Sequence, residues 1–201
     1  MSRFQKTVLV LIIIIISLLG YMTYLSGHSS EFTLPFENIF KPTLSPNDVV
    51  KKELNDLKLE VNYNRPSKRG REIFGALVPY DKVWRTGANE ATTFTTNKTL
   101  MIDSVLVPKG TYTLWTVPSD TLWKVMVNKK QYDWGVDEKL EPMWDPNFDV
   151  VEVRVPVIEL DQVVEKFTID FVNTLGKLKM TLAWDTTKIE IPIQHQNISK
   201  K

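Results

Sequence analysis

Beyond residue 56, apolar and polar residues alternate with a period of two, the pattern of strands that bury one face. Leu57, Leu59, Val61 and Tyr63 share one face of a first run. Tyr112, Leu114 and Thr116 alternate with Thr113, Trp115 and Val117, and Trp123, Val125 and Val127 follow. Val151, Val153 and Val155 alternate with Glu152 and Arg154. The same period returns in Phe167, Ile169 and Phe171, in Leu178, Met180, Leu182 and Trp184, and in Ile189, Ile191 and Ile193. Turn formers separate these runs at Pro108-Lys109-Gly110, Pro118-Ser119-Asp120, Asn128-Lys129 and Leu175-Gly176-Lys177. About eight to ten short strands predict an all-β domain, an antiparallel β-sandwich or jelly roll. Only Asp48 to Leu57 has spacing compatible with a helix, and the same residues also suit a lead into the first strand.

The N-terminus follows a different rule. Thr7 to Leu25 reads TVLVLIIIIISLLGYMTYL, a run without charge. As a helix it rises about 28 Å, close to the roughly 30 Å of a bilayer core. Arg3 and Lys6 precede it and no Lys or Arg follows until Lys41. The positive-inside rule then predicts a cytoplasmic N-terminus (residues 1–6), an anchor over 7–25 and everything later outside, in the periplasm or at the cell surface. A cleavable signal peptide has the same order of charge and apolar core, but Tyr24-Leu25-Ser26-Gly27 makes a poor cleavage site. Residues 26–47 are aperiodic and contain Ser and Pro, the composition of a linker. They leave 48–195 for the β domain and 196–201 for a tail.

Composition narrows the chemistry. The formal net charge is +1, and leaving out Arg3 and Lys6 gives 23 basic against 24 acidic residues, which argues against a nucleic-acid partner. No cysteine is present, which excludes disulfides, thiolate metal sites and a cysteine nucleophile. With two histidines, His28 beside the predicted anchor and His195 near the C-terminus, Ser-His-Asp catalysis and multi-histidine metal sites have little to build on. Asp133, Asp137, Glu138 and Asp145 follow no calcium-loop spacing. No metal or cofactor is implied, and no protein partner is indicated.

The candidate chemistry lies where alternation fails, from Asn64 to Thr92. Arg65, Lys68, Arg69 and Arg71 form either a solvated basic turn or an anion site, since guanidinium groups grip carboxylate and phosphate bidentately. Gly70 among them would let the backbone come close to a ligand. Trp84, Arg85, Asn89 and Glu90 form either a core residue with a shaping Arg–Glu network or a stacking platform ringed by polar groups. The second arrangement suits a sugar, whose C–H faces are apolar and whose hydroxyls need donors and acceptors. Trp123 and Trp184 alternate cleanly and are expected in the core, whereas Trp134 and Trp144 fall in loops. Glu72 and Glu90 are the candidates for a paired acid and base, the requirement of glycoside hydrolysis.

The run RGREIFGALVPYDKVWRTGANEAT, followed by PKGTYTLWTVP, WKVMVNK and LAWD, resembles the bacterial domain-of-unknown-function family numbered 2911 over about residues 57–193. Departures from the family pattern are Asn64 in place of Ser, Arg69 in place of Lys, and Asp185 in place of Glu after Trp184. Tyr132-Asp133 also separates Gln131 from Trp134, where the family has Q-W-G. The resemblance implies an exported β-sandwich and supplies no activity.

Together these readings predict a membrane-tethered, extracytoplasmic, non-catalytic domain that binds a polar or anionic, glycan-like ligand. Arg65, Lys68, Arg69, Arg71, Trp84, Arg85, Asn89 and Glu90 are its expected ligand-binding residues. A carboxylate-dependent hydrolase or lyase using Glu72 or Glu90, and a purely structural envelope protein, are the alternatives.

Overall fold

The computed structural model describes residues 3–25 and 44–195, and the chain forms two compact units, Met1–Lys41 and Pro42–Lys201. Residues 26–43 of the expected 26–47 linker and the tail over 196–201 lie outside the described residues. In the first unit α1 runs from Arg3 to Leu25, and side chains are described continuously over 8–22. Among the described residues, no helix is long and apolar enough to cross a membrane.

The second unit is mostly β and antiparallel. Its strands are β1 (Asn47–Leu54), β2 (Leu57–Asn64), β3 (Thr93–Thr96), β4 (Leu100–Ile102), β5 (Val105–Val107), β6 (Gly110–Val117), β7 (Leu122–Asn128), β8 (Asp149–Thr174) and β9 (Lys177–Ile193). Seven of them form one sheet in the order β1-β2-β3-β6-β7-β8-β9, and β4 and β5 make a separate hairpin. The all-β, antiparallel expectation holds, and the seven-stranded sheet curls. Of the two readings open for 48–57, the strand holds: Asn47 to Leu54 pairs residue for residue with β2 as an edge strand.

The curl is built into β8. Its first part, Asp149 to Pro156, pairs with β7, and its remainder pairs with β9 from Val157 to Thr174. Register shifts between Glu159 and Val164, and again between Val164 and Thr168, break the ladder, and such bulges bend the strand that carries them. The bent end meets the opposite side of the sheet. Tyr63 of β2 accepts a hydrogen bond at its hydroxyl from the Ile169 backbone N–H (3.0 Å), and the rings of Phe94 on β3 and Phe171 on β8 lie 6.3 Å apart.

Inside the curl, the alternating residues form one core in which Trp123, Trp184, Phe94 and Phe167 are almost fully buried. Trp115 is as deeply buried but belongs to the other face of β6. There it meets Tyr132 edge-on (5.2 Å), because the segment between β7 and β8 folds back over the sheet. That covering segment, and not the core, makes Trp115 inaccessible.

Candidate functional site

The segment from Arg65 to Arg71 is held by the bulged part of β8. The Phe167 N–H donates to the Pro66 carbonyl (2.9 Å) and the Lys68 N–H to the Glu165 carbonyl (2.7 Å). A bulge leaves backbone groups without ladder partners, and this loop takes them. Arg65 is absorbed in this anchoring. Its guanidinium donates to the Phe167 carbonyl (3.1 Å) and the Thr168 hydroxyl (2.8 Å), and its Nη1 pairs with Asp48 (3.1 Å). Lys68 is equally occupied, paired with Asp185 of β9 in a half-buried ion pair.

Arg69 and Arg71 emerge from the same loop in a different role. Arg71 donates to the carbonyls of Lys68 (3.0 Å) and Ser67 (2.6 Å), which fixes its direction. Both residues line a cavity of about 910 Å³. Its walls also include Trp84 and Arg85, Lys82 and Val83 beside them, and Leu44 and Ser45, which the sequence had placed in the linker. The far wall comes from the segment between β7 and β8, through Val136, Leu140, Glu141, Pro142 and Trp144.

Trp84 reaches the cavity from the main core. Its backbone bridges to Thr116 of β6, and its ring lies 5.0 Å edge-on from Phe167 and 6.1 Å from Trp184 at 20°. With Trp184 stacked against it and its indole N–H donated to the Gly87 carbonyl (3.1 Å), Trp84 serves the core as well as the cavity wall. Of the two arrangements the sequence left open, core residue and platform, the ring takes part in both.

Arg85 is the distinctive group. Its Nε is buried and has no hydrogen-bond partner, the single such buried side-chain atom among the described residues. Burial lowers the guanidinium pKa from its ordinary value. A guanidinium nevertheless stays charged at neutral pH, so the desolvated cation favours any anion that reaches it. Gly135 packs against Arg85 from the covering segment: its φ of +81° strains any other residue, and a β-carbon there would stand close, 3.4 Å from Arg85 Cβ.

Asn89 and Glu90 do not line the cavity. The Asn89 side chain donates to the Ser45 carbonyl (3.3 Å), and exposed Glu90 accepts from Asn64 (2.7 Å). Exposed Glu72 is likewise absent from the walls, so the two glutamates named as candidates under the alternative, hydrolase reading do not converge on this cavity. Of the eight expected ligand-binding residues, Arg69, Arg71, Trp84 and Arg85 come together, and Arg65, Lys68, Asn89 and Glu90 are spent on holding loops. Sequence reasoning missed Lys82 and the whole 136–144 wall. Trp144 was the one signal of that wall, as an aromatic in a loop between two prolines.

The cavity lining holds four basic side chains, Arg69, Arg71, Lys82 and Arg85, against one carboxylate, Glu141. Among the described residues no three metal-ligating side chains cluster. The arrangement is chemically suited to holding an anion beside an apolar, aromatic wall.

A family model described as protein of unknown function (DUF2911) matches residues 45–193. The chain belongs to that family. The match begins at Ser45, on the cavity wall, and ends at Ile193, the last residue of β9, so the family unit contains the curled sheet and nearly all of the cavity. No curated protein and no solved structure matches the chain.

Proposed function

We propose that this domain is a non-catalytic binding module for an anionic, glycan-like ligand, taken up by the cavity between the 69–88 segment and the 136–144 wall. The observation that carries the reading is Arg85. A charged side chain whose Nε is buried without a partner costs stability, on the order of 1–3 kcal/mol, unless something compensates it. A bound carboxylate or phosphate on the cavity side of Arg85 would compensate the guanidinium charge and offset the cost. Arg69, Arg71 and Lys82 supply the surrounding positive potential, and Trp144 with Leu77 and Pro142 supplies apolar surface.

We further propose that the domain is tethered by residues 7–25 with its N-terminus in the cytoplasm. The uncharged run from Thr7 to Leu25 and the placement of Arg3 and Lys6 before it support this reading. Membrane fractionation with N-terminal sequencing tests it: a mature chain beginning near His28 would remove the tether.

For the ligand, the full chain in detergent is screened by thermal shift against glycans and cell-wall fragments. Acidic glycans are expected to raise the melting temperature and neutral ones to leave it unchanged. Stabilisation that persists when Arg85→Ala and Trp84→Ala are combined would sink the assignment.

A further inference from the structure

Trp144 differs from the other tryptophans of the cavity in having no ring partner. Trp84 and Trp184 stack on one another within the core, whereas no aromatic contact involves Trp144 among the described residues. It is half-buried on the cavity wall, and its indole N–H is already used, donated to Asp149 Oδ1 (3.0 Å). What an indole with a satisfied N–H can still offer is its face.

Its position is also fixed from behind. Asn128, fully buried at the end of β7, donates its amide to Asp149 Oδ1 (2.7 Å) and to the Asp145 carbonyl (2.8 Å). Tyr132 accepts the Asp145 N–H at its hydroxyl (3.0 Å), and Asp145 caps the short turn Pro146–Phe148 that leads into β8. The ring is therefore clamped to the ends of two sheet strands, not carried on a free loop. Rigid aromatic surfaces bind rings at little entropic cost.

We infer that Trp144 is the stacking wall for a ring-bearing ligand and that Asp149 is its positioning residue, so the ligand class is a cyclic carboxylate such as a uronic acid. The inference rests on the proposed anion site, because the ring is placed by the same cavity that holds Arg85. An isolated anion would use the basic side chains alone. A sugar acid uses both, its carboxylate on the guanidinium groups and its C–H face on the indole.

Two probes separate the contributions: acetate, a bare carboxylate, and D-glucuronate, the same group on a pyranose ring. Both are titrated by NMR into the full chain in detergent, with the indole N–H resonances as reporters and circular dichroism confirming the fold of each variant. Wild type is expected to bind glucuronate about tenfold tighter than acetate. Trp144→Ala and Asp149→Ala should each abolish that advantage and leave acetate binding unchanged. Trp144→Phe and Asp149→Asn, which keep a ring and an Oδ1 acceptor, should restore most of it. The wild-type glucuronate titration should shift the Trp144 indole resonance.

A glucuronate advantage that survives Trp144→Ala, while Arg85→Ala removes acetate binding, overturns this inference and leaves the anion site standing. Binding of neither probe, or binding of both unaffected by Arg85→Ala, overturns the anion site and the inference with it.

Discussion

Lys68 and Asp185 form a half-buried ion pair that ties the arginine-bearing loop to β9, at the residue where β8 and β9 lose register. Their side chains are 21% and 18% exposed, so removing one partner leaves the other charged and poorly solvated. Asp185→Ala is expected to cost about 2 kcal/mol. Lys68→Met alone should cost at least as much, because the Asp185 carboxylate left behind has a one-carbon stem and cannot reach out to water as a lysine can. Urea denaturation of the two single variants and the double should give a favourable coupling energy, since the residues touch. Strict additivity would show that the pair holds nothing in place.

Gly135 shows how little slack the cavity wall has. Its φ is +81°, and a β-carbon would stand 3.3 Å from Trp115 and Ala91 and 3.4 Å from Arg85. Gly135→Ala should destabilise the domain by about 1–2 kcal/mol from backbone conformation alone. It should also push the 136–144 wall away from Arg85. Ligand affinity measured on the folded fraction is expected to fall together with the thermal midpoint.

Tyr63 is the hydroxyl that closes the curl. Almost wholly buried, it accepts from the Ile169 N–H (3.0 Å) and donates to the Ile169 carbonyl (3.4 Å), and burial raises its pKa. Tyr63→Phe keeps the ring and strands those two groups, an expected loss of about 1–2 kcal/mol in chemical denaturation. Hydrogen exchange at Ile169 should accelerate more than exchange at Val125, which lies inside the sheet away from the closure.

Glu190 gives the pH dependence. Lys179 at 2.5 Å and then Lys188 at 2.6 Å hold its carboxylate below the ordinary value of 4.5. A depressed carboxylate contributes stability that is present above the ordinary value and is lost as pH falls through the lower, folded-state value. Glu190→Gln should therefore be less stable than wild type at neutral pH, and the gap should narrow below pH 4.5. A gap that stays constant down to strong acid would mean that the carboxylate charge is irrelevant.

The strands were legible in the sequence because side chains in a curled sheet still alternate. β2 runs Leu57, Leu59, Val61 and Tyr63 inward, as its pattern states. β1 stayed open between helix and strand for a physical reason. Val50 and Leu54 are four residues apart, a spacing that puts two side chains on one face of a helix and of a strand alike. As an edge strand, β1 has no fully buried residue to settle the matter.

The site was legible only in half. Basic residues could be seen, but their carboxylate partners could not: Asp48 is 17 positions from Arg65, and Asp185 is 117 from Lys68. Pairing at such distances decides which cations are spent and which remain for a ligand. The 136–144 wall is irregular backbone, so no period marks it, and its approach to Arg85 depends on the conformation of Gly135.

The most direct measurement is a calorimetric titration of the full chain with the best acidic glycan, repeated with Arg85→Met. Loss of a charge-assisted bond to a buried guanidinium predicts a Kd at least about tenfold weaker in the variant, with the same stoichiometry. Glu72→Gln and Glu90→Gln, which lie outside the cavity walls, should bind as wild type does. An unchanged Kd in Arg85→Met would contradict the anion site.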